Sequence, residues 1–198
     1  MSESRTRRRG KDLLDAIYTA AIAEAAESGP GRLTMDAIAK RAATARTTLY
    51  RRWSDPVDLL LDALAERHPR EQPAPGADDL RGDLIAALRL MVDWGFSPAG
   101  RAVLAILADP ARDPAVVQAL WERVFDRHGG TFTQTVLRHY ADRGALDPAR
   151  LTPVVLDIGE AMVTKRIMDT GEAPDDDYLA AIVDQAILPA AGLPPQRI

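Results

Sequence analysis

The nine residues from Ala45 to Trp53 (Ala-Arg-Thr-Thr-Leu-Tyr-Arg-Arg-Trp) gather three arginines, two threonines and a tyrosine into one short run. Arginine carries a planar fork of N–H donors that matches paired acceptors such as guanine O6 and N7, while hydroxyls and cationic charge suit phosphate oxygens. Leu49 and Trp53, four apart, share one helical face for burial, which leaves Arg46, Thr47, Tyr50 and Arg51 largely on the others. This is recognition chemistry, with nothing beside it that makes or breaks bonds. Cysteine is absent, which removes disulfide frameworks, thiolate zinc sites and cysteine nucleophiles. No GxSxG, GxxxxGK[ST] or HExxH pattern occurs. The carboxylates are dispersed on helix faces or gathered at caps, as in Asp175-Asp176-Asp177. His128 and His139, with Glu122 and Asp126 nearby, have a spacing that does not assemble a metal-ligand set. A protein without catalytic residues, metal or cofactor is expected.

The elements that must hold the run are helical. From Asp12 to Ser28, Leu13, Leu14, Ile17, Ala20, Ala21 and Ala25 recur at three- and four-residue steps, which predicts a helix with one buried stripe, ended by Ser28-Gly29-Pro30-Gly31. Thr34 offers the N-cap of a second helix of about two turns through Arg41, with Ala37, Ile38 and Ala42 inward. Residues 45–53 form a third. Asp55-Pro56-Val57-Asp58 opens a fourth, Asp55 as cap and Pro56 in the first helical position, running through Leu59, Leu60, Ala63 and Leu64. Pro69, Pro73, Pro75 and Gly76 forbid continuation and predict a linker over 68–77. Helical periodicity returns in 80–95, 99–108, 114–142, 152–170 and 176–190. The longest would reach about 45 Å if unbroken, with Gly129-Gly130 the place for a kink or break. No segment alternates as a strand, so the expected fold class is all-α: a head of residues 1–67, the linker, and a helical body of residues 78–198.

Charge divides the chain at the same place. The net charge is −4, yet residues 1–53 hold 11 Lys and Arg against 6 Asp and Glu for +5, and residues 54–198 hold 14 against 23 for −9. A polyanion attracts the head and repels the body. No run of about 18 apolar residues exists, and the basic start leads into a segment broken by Asp12, Asp15 and Glu24, so neither a membrane span nor a signal peptide is expected.

The two short helices joined at Ala43-Thr44 form a helix-turn-helix candidate, a motif whose second helix enters the major groove. From Leu13 to Leu60 the sequence resembles the TetR family of bacterial transcriptional regulators. Ile17 with Ala20-Ala21, Leu33-Thr34-Met35-Asp36-Ala37-Ile38-Ala39, Ala42, Thr48-Leu49-Tyr50, Trp53, and Leu59-Leu60 after Pro56 carry the resemblance. Three positions depart from it: Ala43 stands where the family has a turn glycine, Ala45 where it has a capping serine, and Pro56 where it has a lysine. A lost cap oxygen costs about 0.5–2 kcal/mol, unless Thr44 supplies it to a helix starting one residue early. Arg51 and Arg52 are expected to replace the attraction lost with the lysine.

The resemblance implies a sequence-specific DNA-binding regulator, a repressor released from palindromic operator DNA by a small-molecule effector, cytoplasmic and on the nucleoid when bound. Arg46 and Thr47, nearest the groove-entering end of the third helix, are the base-reading candidates. Thr34, Thr48, Tyr50 and Arg52 resemble phosphate-binding positions of the family, and Arg5, Arg7, Arg8 and Arg9 form an arm for a minor groove or neighbouring phosphates, or else a solubilising tail. The resemblance also implies an effector pocket and a dimer interface in the body. For the interface it points to the last two long helices, through Val154, Val155, Ile158, Gly159 and Met162 and through Leu179, Ile182, Val183, Ala186 and Ile187. Two heads spaced about 34–36 Å apart would then read two half-sites, although a single chain could bury the same stripes internally. Met91, Trp94, Phe96, Leu104, Leu107, Trp121, Phe125, Phe132, Tyr140 and Met162 supply the large side chains for a pocket, which suits a mainly apolar or aromatic effector. Each of them suits plain core as well. The alternative function is an all-helical carrier of hydrophobic ligands with non-specific nucleic-acid affinity.

Overall fold

The computed structural model describes residues 10–126 and 130–194, and all regular structure among them is helical. In chain order the helices are α1 (Lys11–Ser28), α2 (Met35–Arg41), α3 (Arg46–Tyr50), α4 (Pro56–Arg67), α5 (Leu80–Gly95), α6 (Pro98–Ala108), α7 (Pro114–Leu120), α8 (Phe132–Asp142), α9 (Pro153–Thr170) and α10 (Asp176–Ile182). A π-turn at Trp121–Phe125 prolongs α7, and another at Val183–Ile187 carries α10 into a last turn at Leu188–Ala190. The segment from 114 to 142 is therefore two helices: α7 winds out through its π-turn, and α8 starts afresh at Phe132. No single helix among the described residues is long and apolar enough to cross a membrane.

Helix starts follow local chemistry. Asp55, Ser97, Asp113 and Thr152 each accept a hydrogen bond from the first turn of a helix whose first residue is proline, Pro56, Pro98, Pro114 or Pro153. A side-chain oxygen satisfies one orphan donor there, and proline removes another.

By contacts the chain forms two compact units. The first takes its described residues from 10–68 and 97–124. Its core is the apolar stripe of α1 (Ile17, Ala20, Ala21, Ile22, Ala25) against Leu59, Leu60, Ala63 and Leu64 of α4. α6 closes this core over α1 with Ala102, Val103 and Ile106, all buried. α2 then crosses α1 and turns sharply into α3. The N–H of Thr44 bonds Ala39 O at 3.0 Å and that of Ala43 bonds Lys40 O at 3.2 Å, with Ala43 at φ 53°. Such a helix end places one residue in the left-handed region, where a Cβ is strained and glycine is not. The strain of about 1–2 kcal/mol exceeds the extra chain entropy that glycine loses on folding. Ala43→Gly is therefore expected to stabilise the protein by about 1 kcal/mol and to raise the thermal midpoint by about 2–4 °C. A midpoint that stays or falls would show that the turn carries no such cost.

The second unit takes its described residues from 69–96, 125–126 and 130–194. Leu84, Leu88, Val136, Leu137, Leu156, Val163, Leu179 and Ile182 from α5, α8, α9 and α10 share one core with Val183 of the π-turn that follows. Asp184, only 2% exposed, receives bonds from Arg81 Nε at 2.7 Å and Nη2 at 2.8 Å, and this guanidinium holds the carboxyl below its ordinary pKa. The start of α8 is held by two carboxylates from elsewhere in the chain. Phe132 N–H donates to Glu71 Oε1 at 2.7 Å, Thr133 N–H to Glu160 Oε1 at 3.1 Å, and Thr133 Oγ1 to Glu160 Oε2 at 2.9 Å. Burial pushes Glu160 up to about 7 against the pull of these bonds, and pushes Glu71 up as well.

Candidate nucleic-acid interface

The helix-turn-helix is built as its sequence suggests at one end and differently at the other. Thr34 Oγ1 caps α2 by accepting from Ala37 N–H at 3.2 Å. α3 begins at Arg46 behind Ala45, whose backbone is extended and whose side chain has no acceptor. Thr44 therefore does not supply the missing cap, because the helix does not start one residue early. α3 ends at Tyr50, yet Trp53 N–H still bonds Leu49 O at 3.1 Å, keeping both anchors on the inner face. Leu49 and Trp53 are buried.

Trp53 fixes the end of this element to its surroundings. Its indole Nε1 donates to Asp62 Oδ2 at 2.8 Å, and its ring meets Tyr18 edge-on with centroids 6.0 Å apart. Arg123 Nη1 donates to Asp58 Oδ1 at 2.8 Å, and Nη2 reaches Asp62. One carboxylate of α4 thus receives both the tryptophan and an arginine from the turn after α7.

The outer face holds Arg46, Thr47, Tyr50, Arg51 and Arg52, all exposed, with Thr34 exposed at the head of α2 and Thr48 half-buried. Tyr50, 57% exposed, is the largest of the apolar-bodied side chains left uncovered there. Arg41 faces the other way, bonded to Glu24 and Glu27 of α1. Arg46 is bonded by Nη1 to both oxygens of Asp36, which raises its pKa further. Of the candidate readers and phosphate contacts among the described residues, all but half-buried Thr48 are exposed. Arg5, Arg7, Arg8 and Arg9 lie outside the described residues.

The candidate body residues are divided. Trp94 meets Phe125 at 6.2 Å between centroids and Phe132 at 5.8 Å, an aromatic group within the second unit. Met91 packs half-buried beside that unit's core, while Phe96 and Met162 are exposed. Tyr140 is buried in a network of its own: its hydroxyl donates to Asp83 Oδ2 at 2.7 Å and accepts from Asp79 N–H at 3.0 Å, and burial pushes its pKa up to about 12. Leu104, Leu107 and Trp121 belong to the first unit. A cavity of about 310 Å³ in the second unit is lined instead by Arg70, Glu71, Asp83, Ala87, Leu90 and Val136, among others. Of the candidate dimer residues, Leu179, Ile182, Val183 and Ile187 lie in the core of their own unit and Gly159 is buried there. Val155, Ile158 and Ala186 are half-buried, and Val154 of the same α9 stripe is 74% exposed.

Among the described residues no three His, Cys, Asp or Glu side chains are placed to hold a metal. His128 lies outside them, and His139 Nε2 is 3.1 Å from Ala74 O. The sequence alone assigns no role to Asp36, Asp62 or Arg123. Their partners stand 10, 9 and 61–65 residues away, so only the turn and the packing of α4 and α7 bring them together.

Comparison with known proteins covers both parts of the chain. Residues 17–63 match the pattern of bacterial regulatory proteins of the tetR family, and residues 74–186 that of the tetracyclin repressor-like C-terminal domain. The uncharacterized HTH-type transcriptional regulator Rv1556 of Mycobacterium tuberculosis is 29% identical over 164 residues, 83% of this chain and 80% of that one. The DNA-binding transcriptional repressor TetR of Mycobacteroides abscessus is 28% identical over 197 residues, covering 91% and 94%. The fold is shared with the TetR family transcription regulator SCO0332 (TM-score 0.65, 22% identity, 89% and 97% covered). It is shared also with the protein of the SmeT–triclosan complex (TM-score 0.59, 19% identity, 92% and 91% covered).

Proposed function

The chain belongs to the TetR family of bacterial transcriptional regulators, DNA-binding proteins and not enzymes, and on that premise we propose a homodimeric repressor that reads an inverted-repeat operator and leaves it when a small molecule occupies the body. The observation that carries the DNA part is the asymmetry of α3: Leu49 and Trp53 anchor it, and Arg46, Thr47, Tyr50, Arg51 and Arg52 face outward. Arg46 and Thr47 read bases; Thr34, Thr48, Tyr50, Arg51 and Arg52 position the head on phosphates. Arg7, Arg8 and Arg9 add positive charge to the head sequence.

Two heads are needed because one short helix reads one half-site, and the exposed Val154 and Met162 with half-buried Val155 and Ile158 mark α9 as a face for a second copy. SmeT, of the same fold, has been solved in complex with triclosan, and the aromatic group of Trp94, Phe125 and Phe132 supports a mainly apolar or aromatic effector here. Such an effector must bind the DNA-incompetent arrangement more tightly, since equal affinity for both would shift nothing.

Selection of binders from a random duplex pool at near-physiological salt tests this. The wild type is expected to enrich an inverted repeat. On that repeat Arg46→Ala should lose about 10- to 100-fold in affinity, more than it loses on a scrambled duplex. Arg52→Ala should weaken both and flatten the salt dependence by about 0.9 in log–log slope per head. Salt-sensitive binding without any enriched sequence would leave a phosphate-binding surface and favour a hydrophobic-ligand carrier.

A further inference from the structure

Asp36 stands in the first turn of α2, and Arg46 opens α3 ten residues later. Arg46 Nη1 donates to Asp36 Oδ1 and Oδ2, both at 2.7 Å, with the two side chains 60% and 63% exposed. The left-handed turn at Ala43 brings the start of α3 back against the start of α2 and so makes this contact possible. The bond engages one corner of the guanidinium. The hydrogens of Nη2 and Nε lie outside it.

Resting on the reading of the head as a sequence reader, we infer that Asp36 sets its specificity: by neutralising and orienting Arg46, it makes this arginine a directional donor to a base edge and removes it from the general attraction to phosphate. An unpaired arginine at a groove is a mobile cation, drawn to any nearby phosphate, and it raises affinity for every sequence alike. Paired with a carboxylate it forms a couple of no net charge, whose pull on the backbone is small. Its remaining donors still match paired acceptors such as guanine O6 and N7. Held on a short aspartate, the guanidinium also has fewer orientations to lose when it meets a base.

Exposure decides how firmly the pair holds. Water competes for both partners on the free protein, so the pairing is a preference and not a lock. A groove displaces that water and lowers the local dielectric, which strengthens the pair and the base contact together. Asp36 alone would be repelled by the phosphates flanking the groove. That repulsion is offset only while Arg46 stays on it, which disfavours any register in which the arginine swings to the backbone. Arg51 and Arg52 remain for phosphate.

The test compares full-length wild type, Asp36→Asn and Asp36→Glu on the selected repeat and on a scrambled duplex, across a range of salt. Asparagine keeps the shape and removes the charge. Asp36→Asn is expected to bind scrambled DNA about 3- to 10-fold more tightly and to steepen the log–log salt dependence by about 0.9 per head. Its preference for the repeat should fall about tenfold. Asp36→Glu, which restores the carboxylate, should recover both, and all three proteins should melt alike because the pair is exposed. An unchanged preference and slope in Asp36→Asn would overturn the inference and leave an ordinary surface ion pair. A wild type with no preference for any sequence would be a different failure, removing the reading of the head and this inference with it.

Discussion

Glu160→Gln is expected to stabilise the protein by about 3 kcal/mol at pH 8 and to leave its stability nearly unchanged below pH 4.5. The side chain lies at the start of α8, accepting from Thr133 N–H and Thr133 Oγ1, with Thr131 Oγ1 within 3.4 Å. Burial raises its pKa from the ordinary 4.5 to about 7, and the bonds from Thr133 only partly oppose that rise. Between those two values the folded chain keeps a proton that the unfolded chain has released. Glu160's contribution to stability is therefore full below 4.5 and is lost as the pH climbs through 7, a gap worth about 3 kcal/mol. Glutamine has the same shape, never ionises, and can still accept from Thr133 N–H while its amide donates to Thr133 Oγ1.

Other groups do not confuse the comparison. Asp184, held below its ordinary 3.8 by Arg81, acts in the opposite sense: its contribution is present above 3.8 and is lost in stronger acid, outside the window. Glu71, raised like Glu160, is common to both proteins and cancels in their difference. Urea unfolding of wild type and Glu160→Gln at pH 5 and pH 8 checks the prediction, and an equal difference at the two pH values would sink it.

Gly159→Val should cost about 3 kcal/mol and lower the thermal midpoint by about 6–12 °C. A Cβ at Gly159 would stand 2.8 Å from Thr133 Oγ1, 2.9 Å from Thr133 Cγ2 and 3.1 Å from Leu88 Cδ2. Leu88 and Thr133 have no exposure to yield into, and Thr133 is tied to Glu160 by both its N–H and its hydroxyl. Valine adds two further methyl groups to a space already short of one. The helix propensity that glycine forfeits, about 1 kcal/mol relative to alanine, does not recover the loss. Melting at several protein concentrations separates packing inside the protomer from packing across a dimer. A clash against α5 and α8 lowers the midpoint equally at every concentration, whereas a residue facing a second copy gives a loss that grows on dilution.

The two residues show what periodicity can and cannot reveal. A small residue on the apolar side of α9 signals a close approach by something, and the approach is there. The stripe Leu179, Ile182, Val183 is likewise apolar and buried. Neither pattern says which surface does the covering, because a helix face is written in spacing of three and four whether its partner lies 70 residues away or on another molecule. Helix starts were far more legible. Asp55-Pro56 acts within one turn, so the chemistry that begins α4 is contiguous in sequence.

In the head, Leu49 and Trp53 fixed the inner face of α3 and thereby the outer one, which made Arg46, Thr47, Tyr50 and Arg51 readable as a group. Asp36 was not readable as their companion, since its reach to Arg46 depends on a left-handed alanine that no spacing announces. The same alanine defeats the expected cap: with Ala43 and Thr44 used to close α2, the chain enters α3 through extended Ala45, too late for Thr44 to serve it.

The order in which the chain is made adds a consequence of the unit that returns to itself. Its described residues come from 10–68 and again from 97–124, and α6 supplies buried side chains over α1. A nascent chain that has emerged only as far as the linker has α1 to α4 in hand but lacks Ala102, Val103 and Ile106 to complete their cover. Translation must therefore pass α6 before the helix-turn-helix rests on a finished core. Products of interrupted synthesis that stop short of residue 108 carry Arg46 to Arg52 on an incomplete support.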